Sequence, residues 1–96
     1  MIYKFEWDNK KATSNQLKHK ISFQEAATIF RDINVLSMYD EDHSQYEERW
    51  ISLGLSSNAR LIVTSHTFME INRDMNVIRI ISARKATKNE IKHYNK

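Results

Sequence analysis

The stretch RWISLGLSSNARLIVTSHTF, Arg49 to Phe68, decides the fold. RWISLGL and RLIVTSHTF each read as a strand, and the polar SSNA between them is a hairpin turn. Two strands joined that closely run antiparallel. Downstream, the polar turn NRDMN leads into VIRIISA, a further strand, and upstream NVLSMY is a strand followed by the acidic loop DEDHSQYEE. Three or four consecutive strands with short connections make a largely antiparallel sheet.

Helices flank this sheet. The opening IYKFEW alternates, with Tyr3, Phe5 and Trp7 on one side, as in a short strand. Asp8 then caps a helix running to about His19, weakly apolar and therefore expected at the surface. Ser22 and Glu25 form a capping box, and Phe23, Ala26, Ala27 and Phe30 recur at helical spacing. A second box, Thr87 with Glu90, places the last helix at about Thr87 to Tyr94, with Ala86 and Ile91 as its staple. The order β-α-α-β-β-β-β-α predicts an α+β fold. Its antiparallel sheet has four or five strands, two N-terminal helices and one C-terminal helix. Phe23, Ala27, Phe30, Ile62, Val63, Ile80 and Ile81 are expected in the core.

Ninety-six residues with 41% hydrophobic content suit a single domain, residues 1–96. No apolar run approaches the ~20 residues of a membrane helix, and the N-terminus has no long apolar core of a secretory signal. A cytoplasmic protein with no membrane contact is expected. Without cysteine there is no disulfide framework, thiol nucleophile or cysteine-based zinc site. The single glycine excludes a phosphate loop and a dinucleotide fingerprint. No Ser-His-Asp arrangement is visible, and no cofactor is implied. The adjacent acids and histidine of DEDH, Asp40 to His43, read as a solvated loop and not as a metal site.

Charge is unevenly spread. The net charge is +3, but residues 1–20 carry five lysines against Glu6 and Asp8. Residues 21–48 carry seven acids against Arg31, and residues 79–96 carry six cations against Glu90. Basic ends around an acidic middle suggest a face that attracts polyanions. Lys11, Asn15 and His19 share one face of the first helix. Arg79, Arg84 and Lys85 surround the end of the last strand. Strict alternation puts Arg79 and Arg84 on opposite faces unless the strand bulges or ends between them. Rim charges that discourage sheet-to-sheet pairing explain the same residues without a site.

Three segments carry a family resemblance. FEWDNKKATSNQLKHKISFQEAATIF resembles the opening of the BrnT toxins, with F-E-W-D, K-A, N, K-H and S-F-E-E-A. DEDHSQYEERWISLG is similar to that family's acidic D-H-S segment followed by E-E-R and a strand. RIISARKATKNEIKHY is similar to its closing R-I-I-S-A-R-x-A-T with a Glu and a terminal Tyr. The resemblance covers nearly the whole chain. Two departures stand out: Lys20 occupies the place of a usual Gly after K-H, and TFMEINRDMN is longer than the family's connection. If that loop borders the site, the usual Arg there is displaced or is replaced by Arg73.

The resemblance implies a RelE-like fold and a toxin that cleaves RNA without a metal. It also implies a BrnA-type ribbon-helix-helix antitoxin, operator DNA bound only through that antitoxin, and a dimer or a heterotetramer with it. Transfer to the adjacent phosphorus by a ribose 2′-OH needs a base, an acid and cations for the phosphorane charge. Arg79 and Arg84, assisted by Lys85, are the candidate phosphate ligands. His19 or His66 is the candidate base or acid, because a free imidazole titrates near neutrality. Trp7 or Tyr94 is placed to stack a base, with Lys11 and Lys18 as further RNA contacts. The alternatives are a non-catalytic RNA- or ribosome-binding module, and an interaction protein whose basic face meets an acidic partner.

Overall fold

The computed structural model describes residues 2–96. Its strands are β1 (Ile2–Glu6), β2 (Leu36–Tyr39), β3 (Arg49–Leu55), β4 (Leu61–Thr67), β5 (Met69–Glu70) and β6 (Met75–Lys85). Its helices are α1 (Asn9–His19), α2 (Phe23–Ala27) and α3 (Lys88–Tyr94), and α2 runs on as a 3-10 turn, Thr28–Arg31. The fold is α+β. Asp8 starts α1 by accepting hydrogen bonds from the amides of Lys10 and Lys11. Thr87 and Glu90 close the predicted capping box at α3.

The sheet runs β1-β6-β4-β3-β2, with β5 also paired to β6. The Arg49–Phe68 hairpin is present, with Trp50 opposite His66 and Leu55 opposite Leu61. Two expectations need correction. Among the described residues there are six strands, because the long connection after β4 contributes the two-residue β5. The sheet is also mixed: β1 pairs parallel with β6, Phe5 beside Ile78 and Glu6 beside Arg79. Two helices and four strands separate these partners in the chain, so no hairpin constraint forces them antiparallel.

Helices α1 and α2 and the 3-10 turn cover one face. The core there is Ile21, Phe23, Ala26, Ile29, Ile62, Ile78, Ile80 and Ala83, with Phe5, Trp7, Ala27 and Phe30 packed against it half-buried. Val63 is buried as expected, whereas Ile81 is only half-buried. Helix α3 lies on the opposite face, where Asn89, Glu90 and His93 border a groove with Leu36, Met38, Ile51 and Leu53. Among the described residues, no helix is long and apolar enough to cross a membrane. Gly54 is required by close approach: a Cβ there would lie 2.9 Å from Ile29 Cβ and 3.1 Å from its carbonyl oxygen.

One irregularity organises the other face. Ser65 pairs with Ser82 but His66 pairs with Ile80, which leaves an extra residue in β6. Asn76, Ile78 and Ile80 are buried toward the helices before this bulge, and Ala83 after it. Arg79, Ser82 and Arg84 therefore share the open face. The alternation objection is removed by the bulge. Asn15 fixes the strand beyond it, accepting from the amide of Ala83 and donating to the carbonyl of Ile21, both at 3.0 Å.

Two local features yield stability predictions. Lys20 ends α1 in the left-handed region, φ 59°, which explains why glycine suits this position. Lys20→Gly is expected to stabilise the fold by about 1 kcal/mol, since the left-handed cost of a Cβ disappears. The unfolding midpoint should rise by roughly 4–8 °C. Glu25, instead of completing a capping box, is buried and bound by Ser56 Oγ at 2.8 Å and by the Arg60 guanidinium. Arg60, working against desolvation, lowers the Glu25 pKa to about 2 from an ordinary 4.5. A depressed acid contributes stability above its unfolded value, lost as pH falls from 4.5 toward 2. Glu25→Gln should flatten acid unfolding in that window and cost roughly 2–3 kcal/mol at neutral pH, as for a partly exposed version of a broken buried pair. A variant that unfolds in acid like the parent would refute the assignment.

Candidate active site

The parallel pairing of β1 with β6 places Glu6 beside Arg79. Where β1 gives way to α1, Trp7, Asp8 and Lys11 face the same strand, and the segment entering β3 supplies Glu47 and Arg49. These residues, with Ile80 and Ile81 of the bulge, line a cleft of about 450 Å³. Arg79 and Thr67 also border an adjoining groove of about 430 Å³ walled by Phe68, Met69, Ile71 and Val77.

Glu47 is the hub of the cleft. Arg79 Nη2 donates to its two carboxylate oxygens at 2.5 and 2.6 Å, and Arg49 Nη2 reaches it at 3.4 Å. The Arg79 hydrogen bond, working against desolvation, holds the Glu47 carboxyl below the usual glutamate range. Arg49 Nε is buried and has no hydrogen-bond partner. An orphaned guanidinium N–H beside two more cations suits an incoming anion.

A second, smaller pocket of about 90 Å³ lies further along the same face. His19, Ser65, Ser82 and Arg84 line it. Glu90 engages Arg84 with both oxygens, at 2.8 and 3.0 Å, so the α3 capping box also fixes this guanidinium. The pair draws Glu90 down to about 2.

The expected residues thus divide. Trp7, Lys11 and Arg79 meet in the larger cleft, while His19 and Arg84 meet in the smaller one. Lys85 lies opposite Ile62 in the ladder, so it leaves the sheet on the side away from Arg84. Lys18 is exposed on α1 and lines neither cavity. Tyr94 donates its hydroxyl to Asp32 and anchors α3, which makes it an unsuitable stacking platform. His66 requires correction. It is 2% exposed, faces the helices and not the arginines, and has both ring nitrogens engaged within the protein. Alternation in β4 turns it inward. Arg73 lies in the exposed turn after β5 and lines neither groove. Asn15, on the expected basic face of α1, is a buried structural residue.

Glu47 and Arg49 were missed because they follow a run of acids. The detectable signal was parity: both precede or open a strand at alternate positions, which puts them on one face of the sheet.

The family model described as "Ribonuclease toxin, BrnT, of type II toxin-antitoxin system" matches residues 7–90. That span includes Trp7, Lys11, Glu47, Arg49, Arg79 and Arg84. No curated protein sequence matches the chain. Among solved structures, the chain is similar to the Brucella abortus ribonuclease toxin BrnT. The TM-score is 0.59 at 16% identity, covering 92% of this chain and 100% of that one. This similarity shows a shared fold. With the match over residues 7–90, the chain belongs to the BrnT family of ribonuclease toxins of type II toxin-antitoxin systems.

Proposed function

We propose that the chain is a metal-independent endoribonuclease of RelE-like type, acting through the Glu47 cleft and neutralised by a BrnA-type ribbon-helix-helix antitoxin. One observation carries the reading: Arg49 and Arg79 converge on the Glu47 carboxylate in a cleft also lined by Trp7 and Lys11, and the Arg49 Nε lacks a partner. Three cations offset the charge that develops on a phosphorane, and the guanidiniums do so with fixed donors. Glu47 takes the proton of the attacking 2′-OH. Lys11 protonates the departing 5′-oxygen.

The ion pair gives this base a way to be activated by its substrate. A phosphate that captures Arg79 withdraws the cation holding the Glu47 pKa down, so the carboxylate becomes more basic as RNA seats. Trp7 stacks a base, and the apolar groove beside Arg79 receives the neighbouring nucleoside. Arg84 and His19 hold an adjacent phosphate on the same open face. The proton-transfer role considered for a histidine passes to Glu47, since His66 is buried on the other face.

The test is incubation of the purified chain with RNA in EDTA, followed by analysis of the ends. Cleavage is expected to leave a 2′,3′-cyclic phosphate and a free 5′-OH. Intact RNA would favour a binding module, and cleavage restored only by a divalent cation would overturn metal independence.

A further inference from the structure

The helix-covered face contains a separate pocket, of about 230 Å³, where the helical layer leaves the sheet open. Its walls include the rings of Tyr3, Phe30, Trp50 and Phe68, with Ser37 and His66 at its polar side. The volume exceeds the ~150 Å³ of an apolar cavity that accepts benzene. None of the described residues lining it carries a permanent charge. A phosphate or carboxylate has no counter-ion there, so the fitting ligand is neutral.

The direction of each hydrogen bond at the polar side can be fixed. His66 Nδ1 lies 2.9 Å from the carbonyl oxygen of Thr67, which can only accept. Nδ1 therefore carries the proton. Burial pushes the imidazole pKa down and keeps the ring neutral, which leaves Nε2 as an acceptor. Ser52 Oγ, 2.7 Å from Nε2, must then donate its only proton to the ring. Ser37 Oγ, 2.7 Å from Ser52 Oγ, must donate in turn. The Ser37 proton is committed inward, and what its exposed oxygen offers outward is lone pairs. Phe30 meets the His66 ring edge-on, with centroids 4.9 Å apart, and helps hold that orientation.

We propose that this pocket is a binding site for a small, neutral, planar aromatic molecule that carries an N–H or O–H donor on its edge. The aromatic walls take the ring faces and edges. Ser37 Oγ accepts the donor, and the relay through Ser52 to His66 keeps it an acceptor. The pocket shares the Phe68 ring with the groove beside Arg79 but lies on the other face of the sheet, because His66 and Ile78 face the helices while Arg79 and Thr67 face the open side.

The experiment is an NMR titration of the full chain with indole and with 1-methylindole, which keeps the ring system but blocks the donor. Indole is expected to shift the amides of Ser37, Trp50 and His66, with a Kd of about 10 µM to 1 mM for a ligand this small. 1-Methylindole should bind at least about tenfold more weakly, the value of one modest hydrogen bond. Ser37→Ala removes the acceptor at the end of the relay and leaves the aromatic walls in place, and it should abolish the discrimination while both molecules still bind. Equal binding of the two to the unaltered chain, shifts mapping elsewhere, or no binding up to millimolar concentrations would each overturn the proposal.

Discussion

Replacing Arg79 with alanine should lower the RNA-cleavage rate by roughly 10²–10³, the usual cost of removing one preorganised donor aimed at developing charge. Arg79 is the best-placed donor in the cleft, held toward its centre by both oxygens of Glu47. RNA binding should weaken less than the rate falls. A residue that only contacted phosphate would instead flatten the salt dependence, by roughly 0.7 in the log-log slope per contact on a single strand. Arg79→Lys separates the two roles, since lysine keeps the charge but not the planar fork. Full rescue of rate and binding by lysine would reduce Arg79 to an electrostatic anchor. Arg84→Ala should have the smaller effect, because Glu90 already engages that guanidinium outside the main cleft. Lys96→Ala, outside both cavities, should be silent.

Glu47→Gln carries the second large effect. Loss of a positioned general base typically costs about 10²–10⁴ in rate. Binding should not weaken with it, because the substitution removes a negative charge that faces the phosphates. The pH profile gives an independent readout. Glu47 must be ionised to act, and Arg79 holds its pKa below the ordinary 4.5 in the free protein. The acid limb of kcat/KM should therefore lie below pH 4.5, with activity rising as pH climbs through it, and it should vanish in Glu47→Gln. In Arg79→Ala the limb should move up toward the ordinary value. Glu41→Gln, in the neighbouring acidic turn, is the control. If Glu41 and Glu47 variants lose the same small fraction of activity, the base lies elsewhere.

The parts of the fold that could be read from sequence are those set by neighbours in the chain. The Asp8 cap, the Thr87–Glu90 box and the Arg49–Phe68 hairpin each depend on residues a few positions apart. The parallel β1–β6 pairing is different, since it is chosen by the whole layer packing and leaves no local signature. The bulge at Ile80–Ser82 is equally non-local: it is visible only against β4, yet it decides which face Arg84 takes. Candidate site residues followed the same rule. Trp7, Lys11 and Arg79 are proposed from motifs and charge and line one cleft, whereas Glu47 is hidden within an acidic run. Glu25 was read as a capping residue because its true partner, Arg60, is distant in sequence.

The pairing of β1 with β6 also bears on the timing of synthesis. Ile2–Glu6 acquires its ladder only when Met75–Lys85 has been made, because among the described residues β1 joins the sheet through β6. Trp7 and Lys11 come from one side of the missing strand's groove, and Arg79 is on the strand itself. A nascent chain that has reached β4 can form the hairpin but not the cleft. Closing so long a loop is slow compared with hairpin formation. The order of translation therefore delays assembly of the cleft until after residue 85 has emerged, an interval in which an antitoxin could engage the chain before it becomes competent.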